Sequence, residues 1–422
     1  MEEVSLSFIQ KTDCRVIFRY TVSEGLKRFF TDTPFSIEYS DNIEGVVDAV
    51  LAVPFVCNVL PIVWLTDSRL VVPELDEAFY NCIPEVKKGY ETMYPETEFG
   101  GQIEVGKIVP CDRKAEQGKC AMFYSGGVDS MESLYRHIEE KPTLISIWGS
   151  DIAYDNVEGW KILSTALEEA IRQYGLDSAV IRSRFREFDN ERALDKKYSA
   201  QLQRGYWYGI KHAMGLLGHV AVYAYLHNLE TMYIASSNCP ADGQIRCASD
   251  PRTDNHVRFA GCRVVHDGFE LTRQDKVGNI VRYTKASGRV LPLHVCWETQ
   301  TGRNCCKCEK CYRTMTGLIL ENADPADFGF PNADQEMPFM HERMITAGNH
   351  APKTWSRLHD DTKRRQKILR GNPNWKYIKW LVKADFLTPG ALKMPLMWRI
   401  RSGLSQYRAY QYLGRIKRYL FG

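Results

Sequence analysis

The stretch Tyr124-Ser125-Gly126-Gly127-Val128-Asp129-Ser130 follows the short apolar run Ala121-Met122-Phe123 and leads into Met131-Glu132-Ser133-Leu134-Tyr135-Arg136-His137. An apolar run, two glycines and a longer continuation read as strand, tight turn and helix. Two glycines and two serines at such a turn offer backbone N–H groups, hydroxyls and a positive helix end to one anion. The stretch has neither the G-x-x-x-x-G-K-S/T spacing of a P-loop nor the G-x-G-x-x-G of a dinucleotide site. A glycine turn with a serine helix cap is the plain alternative for Ser-Gly-Gly alone. The complete Ser125–Ser130 run, between strand and helix, favours the anion site.

Downstream the chain alternates. The patterns predict helices over 129–140 and 160–174 and a long one over 203–229. Between them they predict strands over 143–148, 178–183 and 232–235. Apolar strands alternating with longer helices imply an α/β fold: a doubly wound, mainly parallel sheet with helices on both faces. Ligands in such sheets sit beyond the carboxyl ends of the strands. The second strand ends at Trp148-Gly149-Ser150-Asp151. The third ends in Arg182, Arg184 and Arg186, three cations for phosphates or a solvated strand edge. The fourth ends at Ala235-Ser236-Ser237, where small residues permit close approach of a ligand. His212, His219 and His227 lie seven and eight residues apart, which gives no metal-binding pair on a helix face. Thr272 with Asp275 fits a capping arrangement that opens a helix. The polar loop before it carries Asp254, His256 and Arg258. These are an acid, a base and an anion clamp, or a salt-bridged surface loop.

Ser125–Ser130 resembles the SGGxDS signature of the PP-loop ATP pyrophosphatases, which split ATP into AMP and pyrophosphate. That resemblance implies a core of adenine nucleotide alpha hydrolase-like type. Ser125, Gly126, Gly127 and Ser130 would hold the pyrophosphate portion of ATP, with Asp129 on the magnesium side. Trp148 and Gly149 would lie against adenine or ribose, and Ser236 would border the nucleotide. Arg273 and Lys276 match the cations that often meet the phosphates from a later helix. They would stabilise charge on the departing pyrophosphate. Mg2+ is implied with the ATP, because carboxylate plus phosphate is its usual oxygen environment. His256 is the candidate base.

Thirteen cysteines are present, four of them within Cys305-Cys306-Lys307-Cys308-Glu309-Lys310-Cys311. Cys296, Cys305, Cys308 and Cys311 form C-x8-C-x2-C-x2-C. Three thiolates at intervals of three can wrap one small ion, and a fourth completes a tetrahedron. Zn2+ is the natural structural occupant, and an iron–sulfur cluster is the alternative. The arrangement is similar to the 7-cyano-7-deazaguanine synthases, PP-loop enzymes in which a lone Cys precedes CGxCxxC. Here Cys306 stands in place of that glycine, and Arg313 lies one position from the arginine usual there. Those enzymes also begin almost directly with their PP-loop, so the likeness covers about 121–317. A whole-chain resemblance, through Pro54-Phe55 to Trp64 and Pro73-Glu74-Leu75-Asp76, is to the ATP-dependent epimerases of UDP-N-acetylmuramoyl-L-alanyl-L-glutamate. These place a PP-loop core behind a sizeable N-terminal domain and activate a carboxyl group.

Residues 1–118 read as a mixed or β-rich domain, with strands at 15–20 and 36–39 and a local core at 46–65. The apolar window 45–65 contains Asp48, Pro54, Asn58 and Pro61, and a buried strand with loops explains it better than a membrane span. Pro73 reads as a strand stop, and 89–119 as a linker. The remaining divisions are 119–290, the ATP-binding core; 291–345, the cysteine-rich segment; and 346–422, a basic extension. From Asp361 to Gly422 there are 15 Lys/Arg and 2 Asp/Glu, a local balance of +13 against +3 for the whole chain. Its last part, Tyr407 to Phe421, interleaves aromatic and basic residues. That suits docking on the acidic remainder, contact with an anionic membrane surface, or nucleic acid. The acidic, polar start is not a secretory signal, which points to the cytoplasm. The leading expectation is an enzyme that adenylates a small carboxylate-bearing substrate, leading to epimerisation or amide formation, as a monomer or homo-oligomer. Nucleic-acid or deazaguanine base modification, and a non-catalytic ATP sensor or scaffold, are the alternatives.

Overall fold

The computed structural model describes residues 1–111, 113–296, 298–299, 301–347 and 352–387. Eleven strands form one sheet: β1 (Glu3–Lys11), β2 (Arg15–Val22), β3 (Ser36–Tyr39), β4 (Arg69–Asp76), β5 (Gln102–Val109), β6 (Cys120–Phe123), β7 (Thr143–Trp148), β8 (Ser178–Ser183), β9 (Thr231–Ala235), β10 (Arg258–Phe259) and β11 (Cys262–Asp267). Their order is β10-β11-β9-β6-β7-β8-β3-β2-β1-β4-β5. β11, β9, β6, β7 and β8 run parallel to their neighbours in that series. β1, β4 and β5 form a second parallel set. The antiparallel strands β3 and β2 join the two sets.

The parallel half is covered on both faces. Successive strand residues point to opposite sides, yet Ala121 and Met122 in β6, and Leu144 and Ile145 in β7, are all buried. The chain leaves β6 for β7 and β8 on one side, then returns to place β9 and β11 on the other. The order therefore reverses between β6 and β9. In open α/β sheets the crevice outside the strand ends at such a switch point is where ligands bind.

Four expectations are corrected. The window 45–65 is helical, Asp48–Leu51 and Val53–Thr66, and every residue from Val53 to Leu65 is buried. A helix enclosed on all sides shows no polar face, so its period is invisible in sequence. Pro54 lies in its first turn, where the missing N–H is an orphan anyway. Next, β4 runs through Pro73. The ladder to β5 passes from Val72↔Val105 to Glu74↔Lys107 with no pair at Pro73. Gly106 makes room there, since a Cβ on it would lie 2.7 Å from the Pro73 carbonyl oxygen. Within the expected linker the chain instead completes the helix Glu77–Met93 and forms β5. Finally, the long helix over 203–229 is a π turn, Trp207–Lys211, followed by the helix His212–His227. A separate helix, Glu191–Leu202, precedes them.

The chain separates into two compact units, Met1–Asn304 and Cys305–Gly422. The sequence divisions at 118, 290 and 345 are a different partition, because strands from both sides of residue 118 share the sheet through β3 and β8. In the second unit the helix Glu309–Leu320 packs against the helix Pro352–Leu369. The indole of Trp355 donates to the Glu309 carboxylate at 2.8 Å. Among the described residues no helix is long and apolar enough to cross a membrane. The segment Tyr407 to Phe421 lies outside the described residues.

Candidate functional site

β6 ends at Phe123, and the chain turns through Gly126 at φ +69 into the helix Val128–Arg136. Gly126 needs that left-handed backbone and that space. A Cβ there would stand 2.9 Å from Cδ2 of His294. Gly127 is the N-cap and brings no side chain to the amides that follow, so this helix end has no side-chain cap. The two serines brace the turn. Their hydroxyls lie 3.2 Å apart, and the Ser130 hydroxyl donates to the Gly127 carbonyl at 3.2 Å.

Asp129, in the first turn of this helix, meets two cations from the helix Arg273–Ser287. Arg273 Nη1 lies 3.1 Å from Asp129 Oδ2 and Lys276 Nζ 3.3 Å from Oδ1. The capping box of Thr272 and Asp275 fixes where that helix starts, and hence where both cations stand. Lys276 is 2 % exposed and also donates to the Ser236 carbonyl. Ser236, just past β9, is buried, and its N–H donates to the Asp267 carbonyl at 2.8 Å. The loops after β6 and β9, on either side of the switch point, are thus tied together by one buried ammonium group. Both Asp129 oxygens face cations.

Trp148 stacks on Trp160 with ring centroids 5.1 Å apart, and the Arg182 guanidinium lies 4.1 Å from its ring centre. Gly149 has φ +110, and a Cβ there would fall 1.9 Å from the Ser183 carbonyl oxygen, so only glycine fits. The other arginines of that strand end are engaged locally: Arg184 with Glu187 and Asp155, Arg186 with Glu191. His256 is exposed, and among the described residues its ring has no hydrogen-bond partner. Among the described residues no hydrogen bond or ion pair joins it to Asp129, Arg273 or Lys276.

Sequence reasoning missed two histidines. The His294 N–H donates to the Gly126 carbonyl at 2.8 Å, and its Nδ1 bonds the Gly302 carbonyl at 2.9 Å. Burial holds its pKa below the ordinary histidine range. His266 lies at the end of β11 against Asp254. Neither has a motif, because each depends on a partner brought in by the fold. Position at the end of a parallel strand was the one signal available for His266.

The sulfur atoms of Cys296, Cys305, Cys308 and Cys311 all lie within 4.8 Å of one another and could hold a metal. Cys308 caps the helix Glu309–Leu320. Backbone N–H groups of Cys308 and Cys311 reach the sulfurs of Cys305 and Cys308 at 3.3 and 3.4 Å. Asn304 orders the approach by accepting from the N–H groups of Val295 and Cys296. Hydrogen bonding with Cys305 pushes the Cys308 thiol up to about 12, and raises Cys311 further. A divalent cation reverses that balance by taking the sulfurs as thiolates. Four thiolate donors with no open position suit structural Zn2+. Cys306 is buried, stands outside the group, and has φ +57, a conformation that favours glycine.

No family model, no curated protein and no solved structure matches the chain.

Proposed function

We propose that the chain is a PP-loop ATP pyrophosphatase that adenylates a small carboxylate-bearing substrate. The observation that carries this reading is the convergence of Arg273 and Lys276 on Asp129, at an uncapped helix start beside the switch point. In this reading the turn amides and the hydroxyls of Ser125 and Ser130 hold the β- and γ-phosphates. Asp129 would be the carboxylate on the side of a Mg2+ that, when bound, neutralises phosphate charge. A substrate carboxylate oxygen attacks the α-phosphorus. The bond from that phosphorus to the bridging oxygen breaks, and pyrophosphate leaves with both electrons. Lys276 and Arg273 stabilise the charge that develops on it. The product is an acyl adenylate whose carbonyl accepts an amine or acidifies the neighbouring C–H. The four-cysteine group would hold a structural Zn2+.

The cysteine cluster, through its likeness to that of the deazaguanine synthases, favours base modification as the second reading. One assay separates the cases: pyrophosphate release from ATP with acidic amino acids, UDP-muramoyl peptides, 7-carboxy-7-deazaguanine and RNA. Release with a peptide or amino-acid carboxylate supports the first reading, and release only with the deazaguanine or RNA supports the second. ATP binding with no release under any condition refutes both in favour of a sensor.

A further inference from the structure

Asp254 and His266 form a buried pair, each side chain 1 % exposed, with Asp254 Oδ2 2.8 Å from His266 Nδ1. The carboxylate is otherwise satisfied as an acceptor. The Ser249 hydroxyl donates to Oδ2 at 2.7 Å and the Thr253 hydroxyl to Oδ1 at 3.2 Å. Nδ1 therefore donates to Asp254, and in the neutral imidazole Nε2 carries the lone pair. Nε2 is buried and, among the described residues, has no hydrogen-bond partner. A buried acceptor left open is costly in a folded chain and calls for a reason. The constellation is no serine nucleophile triad, because the Ser249 hydroxyl sits 3.5 Å from Nδ1, on the same side as the carboxylate.

Its place in the sheet supplies the reason. His266 is the penultimate residue of β11 and pairs in register with Ile234 of β9. The next residue, Asp267, holds the Ser236 N–H, and Ser236 shares Lys276 with Asp129 of the anion turn. His266 thus lies at the end of the strand next to β9, one strand over from the loop whose Ser236 shares Lys276 with Asp129. An orienting carboxylate behind Nδ1 fixes the tautomer and stabilises an imidazolium once it forms.

We infer that His266 Nε2 is the base of the step after adenylation, removing the proton from the carbon next to the activated carboxyl. The inference rests on the adenylating reading above. The C–H bond breaks, its electron pair passes into the acyl carbonyl as an enolate, and the proton forms the Nε2–H bond of an imidazolium paired with Asp254. An attacking amine can reach an acyl adenylate already unprotonated, whereas a carbon acid gives up its proton only to a positioned base. A water-free position also protects the adenylate from hydrolysis. The Phe269 ring stands edge-on 5.8 Å from His266.

The test uses the full chain, ATP, and the carboxylate that elicits pyrophosphate release, in D2O. His266→Asn keeps a donor for Asp254 and deletes only the free nitrogen. It is expected to lose deuterium incorporation at the α-carbon by about 10²-fold or more, while a first-turnover burst of pyrophosphate is still detected. Asp254→Asn, read in the same way, covers the case in which the first variant does not fold. Wild-type exchange by His266→Asn overturns the inference, as does a wild-type enzyme that adenylates without ever exchanging. Absence of pyrophosphate release from the wild type with every carboxylate refutes the adenylating reading itself, and the base with it.

Discussion

Replacing Lys276 with methionine tests the site most directly. Methionine fills nearly the same buried volume but removes the ammonium that Asp129 and the Ser236 carbonyl share. Arg273 still holds the other Asp129 oxygen, so the carboxylate keeps a partner. The main structural cost is one buried carbonyl without its donor, about 1–3 kcal/mol. Charge-assisted hydrogen bonds to a phosphate are worth about 1.5–3 kcal/mol, so ATP affinity is expected to fall about 10- to 100-fold. At an ATP concentration about 100 times the wild-type Kd, binding stabilises the wild type by about 2.7 kcal/mol and the variant by only about 0.4–1.4 kcal/mol. Thermal unfolding with and without Mg-ATP reads both effects: a lower Tm without nucleotide, and a smaller upward shift with it. The measurement needs no knowledge of the carboxylate substrate. A variant with the full ATP-induced shift refutes the assignment of Lys276 to the phosphates.

Two further outcomes follow from named groups. Metal analysis of the purified chain is expected to give about one Zn2+ per chain. Cys308→Ala loses it, Cys306→Gly retains it, and a zinc-free wild type refutes the site. His219 is fully buried, its Nδ1 bonding the Gly215 carbonyl at 2.5 Å and its Nε2 the Ser183 hydroxyl at 2.8 Å. Burial lowers its pKa from 6.5 to about 4. The folded value lies below the unfolded one, so its contribution is complete above pH 6.5 and is lost as pH falls toward 4, by about 3 kcal/mol. Urea unfolding at pH 7 and pH 4.5 is expected to show this loss in the wild type and a smaller one in His219→Gln. Equal losses in both contradict the assignment.

Local pattern carried far in the parallel half. The strands at 143–148 and 178–183 and the box of Thr272 with Asp275 lie where their residues indicated. It failed where burial erased the pattern, as in Val53–Thr66, and where a rule had an exception elsewhere in the chain, as with Pro73 opposite Gly106. Asp129, Arg273 and Lys276, singled out by the resemblance, lie in the first turns of their helices and are brought together in space. The pair of Asp254 and His266 was not, because the acid and the base come from different elements. His256, nearer in sequence to Asp254, drew attention for its chemistry alone and is exposed.

The join of β3 to β8 has a consequence during synthesis. Until β8 emerges, β3 presents an unpaired edge, and the roughly 140 residues between them take about 7–30 s to translate at about 5–20 residues per second. During that interval Ile37 and Tyr39, both buried in the finished sheet, lack the neighbouring strand. The nascent chain is then most open to strand addition by another molecule. A fragment ending near residue 118 would keep that edge permanently. It is expected to aggregate, whereas the chain through residue 304 closes its own sheet.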